Sequence, residues 1–343
     1  MAYTTIDDPS EYFHTRLYSG NGSTQSITNN ANAGNFKPDW LWIKERTSTS
    51  QHFLFDSTRG VGKYLHSDST SLEGNDVHNT SFDSNGFGVG QQNGTNENSQ
   101  TYVAWQWKAN GGTTASNTDG SITSTVQANT TAGFSIVQFT KTGDDQAVGH
   151  GLGKKPKLII IKPTNTTGNW IVMPEIDGVM SNKYLLLNST DALGTDGSYA
   201  EPTSSVFYVS NQIAGNNTHI GYVFTDIEGY SKFGSYTGNG STDGTFVYTG
   251  FKPAWIMIKR TDASGHNWIL FDNKRDSSNV ADTVLIPNSS NAEFTETAWD
   301  FVSNGFKLRQ TATSYNASGG TFIYMAFAEH PFVSSKGVPT TAR

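Results

Sequence analysis

Residues 38–44 have the sequence Pro-Asp-Trp-Leu-Trp-Ile-Lys, and residues 253–259 repeat it as Pro-Ala-Trp-Ile-Met-Ile-Lys. A weaker third copy, Pro-Lys-Leu-Ile-Ile-Ile-Lys, occupies residues 156–162. In every copy a proline is followed by an apolar run and, six positions later, by a lysine. Proline suits the start of a strand, where no donor to the ladder is needed. A run that is apolar on both faces predicts a strand that is buried on both sides.

The segments around these runs recur in the same order. Residues 20–24, Gly-Asn-Gly-Ser-Thr, return at 238–242, and residues 84–87, Ser-Asn-Gly-Phe, return at 303–306. Short strands separated by Gly-, Asn- and Ser-rich turns are typical of β-sandwiches and jelly rolls. We therefore predict three tandem modules, each about 100 residues long as is usual for such sandwiches. Their predicted limits are 1–110 (module 1), 133–229 (module 2) and 230–332 (module 3), with a connector at 111–132 and a frayed tail at 333–343.

The composition supports an all-β fold with almost no helix. Charged residues make up 15% of the chain and aromatic residues 12%, and glycine occurs 35 times. A typical soluble domain is roughly 25% charged, so neutral hydroxyl and amide groups dominate this surface. Aromatic and β-branched residues suit strands, whereas Gly, Asn and Ser suit turns.

Charge and hydropathy exclude several classes of protein. The net charge is −7 and there is no basic cluster, so we predict no binding to nucleic acid. The longest apolar runs are too short to cross a bilayer, and the N-terminal residues do not resemble a secretory signal. Because the chain has no cysteine, it has neither disulfides nor thiolate chemistry.

The eight tryptophans could form a platform for sugars, but most of them lie within the apolar strand runs, where an aromatic ring mainly fills the core. Trp107 is the one candidate for ligand binding. It follows the last predicted strand of module 1, and it aligns with Glu329 of module 3 in the sequence. A position that is Trp in one module and Glu in another is unexpected in a deep core.

Two further patterns contain ionisable residues. Asp56 and Arg59 recur as Asp272 and Arg275, and we expect each pair to be an ion pair in a turn rather than a site for a carboxylated ligand. The second pattern is a group of His and carboxylate side chains, which can bind metals, but its spacing fits no metal-binding template, and we expect a polar loop. That group consists of His66, Asp68, Glu73, Asp76 and His78.

No motif for catalysis is evident. A nucleophile elbow and a phosphate-binding loop are both missing, and the sequence cannot pair the two carboxyl groups that a glycosidase needs. We predict a protein that is not an enzyme, with no catalytic residue, no cofactor and no metal.

Several strings together resemble virion proteins of marine tailed phages, which are usually described as tail-fibre-like or structural. They include Leu-Phe-Asp-Ser-Thr-Arg-Gly (54–60), Gly-His-Gly-Leu-Gly-Lys-Lys-Pro-Lys (149–157) and Tyr-Met-Ala-Phe-Ala-Glu-His-Pro-Phe (324–332). The resemblance extends from about Tyr3 to Phe332. It implies a component of a phage particle and carries no set of functional residues.

Three functions follow as hypotheses. The first is a tail-fibre-type or tail-associated surface protein that contacts host surface glycans. The second is a capsid decoration or head-protrusion protein, which the absence of a coiled-coil or collagen-like shaft favours. The third is a polysaccharide depolymerase. We expect other virion proteins of the tail or capsid, and further copies of this chain, as partners. The expected location is the virion surface, after assembly in the host bacterial cytoplasm.

Overall fold

The computed structural model describes residues 4–30, 35–197, 199–209, 212–213 and 215–340. It is nearly all β, as predicted. The helical elements of this part of the chain are a 3₁₀ turn at Pro9–Glu11 and one helical turn, α1, at Asn93–Asn96.

The region predicted as module 1 contains two main antiparallel sheets and a short hairpin. One sheet has the order β1-β9-β3-β4, the other β2-β8-β7, and β5 pairs with β6. The strands are β1 (Phe13–Ser19), β2 (Gln25–Thr28), β3 (Trp40–Glu45), β4 (Phe53–Asp56), β5 (Lys63–Tyr64), β6 (Gly74–Asn75), β7 (Asn79–Asp83), β8 (Gly86–Val89) and β9 (Thr101–Trp107).

The middle region has one large sheet and one small sheet. Their strand orders are β10-β11-β12-β19-β14-β15-β16-β17 and β13-β18. The strands are β10 (Ala115–Asn117), β11 (Ser124–Asn129), β12 (Phe134–Thr140), β13 (Gln146–Gly149), β14 (Leu158–Pro163), β15 (Ile171–Pro174), β16 (Lys183–Leu186), β17 (Gly194–Thr195), β18 (Val206–Val209) and β19 (Thr218–Phe224).

The last region contains two four-stranded sheets, with the orders β20-β27-β22-β23 and β21-β26-β25-β24. The strands are β20 (Ser231–Thr237), β21 (Phe246–Tyr248), β22 (Phe251–Arg260), β23 (Ile269–Asp272), β24 (Ala281–Val284), β25 (Phe294–Val302), β26 (Gly305–Leu308) and β27 (Thr321–Pro331).

One strand order occurs in all three regions: β1-β9-β3-β4, β12-β19-β14-β15 and β20-β27-β22-β23. We call these the three inner sheets. In each, the strand with the repeated Pro…Lys run lies beside the last long strand of its region. The division into three tandem modules, their limits and their jelly-roll character stay predictions, and below the names module 1, 2 and 3 denote these three regions of the chain.

The repeated runs form strands that are buried on both faces because each face belongs to a different hydrophobic cluster. In β3, Trp40 and Trp42 lie in a central cluster, whereas Leu41 and Ile43 lie in a cluster confined to module 1. Successive side chains of a strand point to opposite faces. Residues of β14 and β22 alternate in the same way. One apolar run therefore contributes to two cores.

The central cluster joins all three modules. Trp40 stacks on Tyr222 across the boundary between modules 1 and 2, with ring centroids 4.4 Å apart. Phe13 stacks on Phe327 at 5.2 Å between modules 1 and 3. Phe224 meets the same Phe327 ring at 6.0 Å between modules 2 and 3. The inner sheets thus face one another around a shared core.

Polar contacts between the modules repeat with a threefold pattern. The residue just before β4, β15 or β23 reaches a backbone carbonyl of the preceding module in a cycle, so that module 1 bonds to 3, module 2 to 1, and module 3 to 2. The three bonds are His52 Nε2 to Ile286 O (3.0 Å), Trp170 Nε1 to His66 O (2.7 Å) and Trp268 Nε1 to Leu186 O (2.8 Å). Because the cycle closes, the three modules form a ring within one chain.

A second set of hydrogen bonds, between backbone groups, follows the ring in the opposite sense. The residue just before β6, β17 or β25 donates its backbone N–H to a carbonyl of the next module. The acceptor is the residue just after β14, β22 or β3. The bonds are Glu73 N to Thr164 O (2.9 Å), Leu193 N to Thr261 O (2.9 Å) and Glu293 N to Arg46 O (3.0 Å). Each boundary therefore has bonds in both directions.

The lysine that ends each repeated run is buried at these boundaries. Lys162 Nζ donates to the carbonyl of Thr70 in module 1 at 3.1 Å, and Lys259 Nζ donates to that of Thr190 in module 2 at 3.3 Å. Lys44 donates instead to the carbonyl of the next residue at 2.6 Å. Burial lowers the pKa of each of these lysines to about 8.

The structure corrects three sequence predictions. The predicted connector at 111–132 is not a simple linker, because β10 and β11 extend the inner sheet of module 2. The tail is not frayed throughout, since Val333 pairs with Pro339 and Ser335 bonds to Asp7. Tail residues 341–343 and the first three residues of module 1 lie outside the described residues.

The third correction concerns register. Trp107 lies opposite Trp40, and Phe327 lies opposite the equivalent Trp255. Trp107 therefore corresponds to Phe327 and not to Glu329, as the sequence alignment proposed. A slip of two residues keeps every side chain on the same face of a strand, so the apolar pattern cannot reveal it.

His150, in the motif at 149–157, makes the stability of the fold depend on pH. Its Nδ1 accepts a hydrogen bond from Leu152 N at 3.2 Å, and its Nε2 lies 3.4 Å from Thr203 O. The imidazole is buried, which lowers the pKa of His150 to about 4.

We predict that this histidine destabilises the fold in acid. Its folded pKa is depressed, so its contribution is complete above the unfolded value of roughly 6.5 and is lost as the pH falls to about 4, by about 3 kcal/mol. Chemical denaturation at pH 4, 5, 6 and 7 measures the effect. His150→Asn should make the free energy of unfolding less dependent on pH over this range, while His14 and His78, whose pKa values burial also lowers to about 4, keep their contributions. An equally steep dependence in the variant would contradict the prediction.

Candidate functional site

The Asp-x-x-Arg pairs are buried ion pairs, as expected. Asp56 Oδ2 lies 2.5 Å from Arg59 Nε, and both side chains are almost fully buried. The Tyr222 hydroxyl of module 2 donates to the same carboxylate oxygen at 2.8 Å. Arg59 also bonds to Glu73 at 3.2 Å and to the Leu54 carbonyl at 3.1 Å. We call such an ion pair, together with the side chain of another module that donates to its carboxylate, an Asp–Arg bolt. This one connects modules 1 and 2.

An equivalent bolt joins modules 3 and 1. Asp272 Oδ2 lies 2.6 Å from Arg275 Nε and accepts from Trp105 Nε1 at 3.0 Å. The guanidinium carbon of Arg275 lies 5.8 Å from the centre of the Trp105 ring. Glu293 extends this network by binding Arg46 of module 1 through two hydrogen bonds, of 2.7 and 2.8 Å.

The boundary between modules 2 and 3 has neither the aspartate of an Asp–Arg bolt nor the donor that binds it. Pro174 occupies the position of the two aspartates, and Met325 occupies the position of the two donors, Trp105 and Tyr222. A buried carboxylate without its partner, or a buried donor without its acceptor, would be costly. Acceptor and donor are therefore both replaced at this boundary. The sequence repeat alone places Pro174 at the position of the aspartates. That Met325 occupies the position of the donors becomes clear only from the strand register.

Trp107 is not a surface residue, and the prediction of a ligand-binding role is wrong. The side chain is fully buried in the central cluster. Its ring lies 4.3 Å from that of Trp40 and 5.6 Å from that of Phe327. The other seven tryptophans are buried as well, which confirms their role in the core.

The ionisable residues of segment 66–78 do not converge. His66 Nδ1 lies 2.8 Å from the His52 carbonyl, and His78 Nδ1 lies 3.3 Å from Thr95 Oγ1. Glu73 faces Arg59, as described above. Across the ranges that the structure describes, no group of three or more His, Asp or Glu side chains is placed to hold a metal ion.

A cavity of about 550 Å³ lies where module 2 passes into module 3. Two lysines and two carboxylates line it together with hydroxyl groups and the ring of Tyr248. Lys232 Nζ bonds to Asp226 Oδ2 at 2.5 Å, which holds one side of the opening. The lining is Lys154, Asp226, Ile227, Glu228, Gly229, Ser231, Lys232, Tyr248, Thr249, Gly250, Phe332 and Val333.

This cavity is the candidate functional site, and sequence reasoning missed it. Tyr248 is 59% exposed and projects from β21, an edge strand of its sheet. Lys154 and Glu228 are exposed, and no hydrogen bond or ion pair within the described residues engages their charged ends. The site can therefore offer hydrogen-bond donors, acceptors and an aromatic face to a ligand.

A smaller cavity of about 90 Å³ lies between modules 1 and 3. It is lined by His14 and His330, among others. His14 Nε2 lies 3.1 Å from Asn30 Oδ1, and burial lowers the pKa of His14 to about 4. The volume suffices for a few water molecules rather than for a substrate.

We predict that Tyr222→Phe destabilises the protein by about 1.5–3 kcal/mol, the usual value of a hydrogen bond to a charged group. The loss arises because the Asp56 carboxylate keeps its burial and loses one donor. Denaturant unfolding measures it. Tyr248→Phe is the matched control, since its exposed hydroxyl has no partner among the described residues, and it should change the stability little. Equal effects of the two variants would refute the bolt.

We predict that Trp107→Ala lowers the free energy of unfolding by about 3–5 kcal/mol through the cavity it leaves. Trp107→Phe should lose less. A variant that kept its stability but changed the binding of any ligand would restore the surface interpretation.

In the part of the chain that the structure covers, no helix is long and apolar enough to cross a membrane. A comparison with curated proteins found no significant match. One family profile matches residues 8–331, which includes almost all of the three-module ring. The chain belongs to this family, which is described as "Domain of unknown function (DUF7483)".

Proposed function

We propose that the protein is a non-enzymatic component of the surface of a bacteriophage particle, of the tail-fibre or tail-associated type, that contacts glycans on the host cell. The observation that carries the proposal is the closed ring, because it fixes three sets of surface loops relative to one another. The likeness of the repeated strings to phage virion proteins supplies the phage context.

The ring suits binding through several weak contacts. Shared cores and buried hydrogen bonds hold the modules in place, so little entropy is lost when more than one loop engages a surface. Linked sites gain affinity because the second contact forms within the same complex. The surface loops are rich in Ser, Thr, Asn and Gly, which offer adaptable hydrogen bonds.

The ring also supports a second candidate, a capsid decoration or head-protrusion protein. Particle proteins obey the symmetry of their site. A single chain with three equivalent modules can occupy a threefold position without two further copies. In this case the partners are capsid proteins, and association with further copies of the chain, which the sequence led us to expect, is not required.

The test is the copy number of the protein in purified particles, together with its binding to cells. We expect the purified chain to bind host cells above the level of an unrelated virion protein, and particles to hold a small, tail-like number of copies. Hundreds of copies per particle, without binding to cells, would favour the decoration role. Absence from particles together with absence of binding would overturn both candidates.

A further inference from the structure

Module 3 carries exposed aromatic residues on β21, the edge strand of its second sheet. In β21 the central Val247 faces the core opposite Phe306, and its neighbours Phe246 and Tyr248 point outward. Phe246 is 46% exposed and Tyr248 is 59% exposed. These two rings form an aromatic strip along the edge of module 3.

The equivalent strands of the other modules carry no such strip. Register defines the equivalent positions, because Ile27 lies opposite Phe87 in module 1 and Val148 lies opposite Phe207 in module 2. The neighbours are the exposed Ser26 and Thr28 in module 1, and the half-buried Ala147 and the buried Gly149 in module 2. The fold therefore does not require aromatic residues there.

An exposed aromatic strip on an edge strand has a cost. Edge strands with apolar side chains invite unwanted pairing, and proteins usually protect them with charges, proline, a bulge or a covering segment. Module 1 has the polar side chains of Ser26 and Thr28 at these positions, and in module 2 the strand is covered, since Ile122 bridges Val148 and Asn117 packs on Gly149. The presence of two rings in module 3 alone points to a role outside the fold.

One end of the strip, Tyr248, lies in the cavity described above. Tyr248 lines the cavity of about 550 Å³, which is within the usual size of a ligand site. The lining has two cationic groups, Lys154 and Lys232, and two anionic groups, Asp226 and Glu228. These charges balance, so the cavity gives no net attraction to a highly charged polymer.

We propose that the cavity and the strip bind a neutral saccharide of the host surface, and this inference rests on the proposed function. Sugar rings have one face of C–H groups and a rim of hydroxyls. Tyr248 and Phe246 would stack against the C–H faces of successive sugars, because an aromatic ring offers a large apolar area at low entropic cost. Lys154 donates to the hydroxyls, and Glu228 and Asp226 accept from them.

The experiment uses the full chain and an array of neutral, amino and uronic-acid oligosaccharides, together with intact host cells. The variants Tyr248→Thr and Phe246→Ser introduce the residues of module 1, so the fold should tolerate them. We expect wild-type protein to bind neutral oligosaccharides, and each variant to lose at least tenfold in affinity with an unchanged free energy of unfolding. The control is Phe294→Ser, since Phe294 is a 40% exposed ring that belongs neither to the β21 strip nor to the cavity lining, and it should bind as wild type.

The outcomes separate this inference from the proposed function. Wild-type binding to cells that survives both substitutions would overturn the site and leave the function intact. Selective binding of uronic-acid sugars, or loss of cell binding after the cells are treated with protease, would overturn the neutral saccharide as ligand. Absence of all cell binding would refute the proposed host contact itself.

Discussion

The shared central core is the constraint on which the structure depends. One face of each inner sheet packs against the second sheet of its own module. The other face packs against the inner sheets of the other two modules. Strands such as β3 are therefore buried at every position, and no module can expose its inner sheet without leaving rings such as Trp40 and Trp107 in water. Separation of the modules is costly for that reason.

Polar groups give this core its specificity. Apolar contact alone would allow the modules to slide, whereas buried hydrogen bonds require particular partners. The cycle of His52, Trp170 and Trp268 occurs at all three boundaries, while the Asp–Arg bolt occurs at two. Where Pro174 replaces the aspartate, Met325 replaces the donor. The boundary between modules 2 and 3 thus lacks the buried ion pair that the other two have, and the cavity lined by Tyr248 lies beside it.

Much of the fold follows from the sequence, because the repeated runs, turns and low helix content each have a local physical cause. The ring does not follow, since a run that is apolar on both faces does not reveal what covers each face. Trp107 was misplaced because a two-residue slip preserves alternation. The Phe246 and Tyr248 strip could have been found by comparing Gly-Thr-Phe-Val-Tyr (244–248) with Thr-Gln-Ser-Ile-Thr (24–28). The cavity beside it depends on tertiary placement, which the sequence pattern does not specify.

Native-state hydrogen exchange along a denaturant series tests the central claim most directly. Amides of β3, β14 and β22 report on modules 1, 2 and 3 respectively. If the modules form one cooperative unit, these amides will exchange with the same free energy of opening and the same dependence on denaturant. Exchange of one inner sheet at a clearly lower free energy, while the other two stay protected, would contradict the shared core.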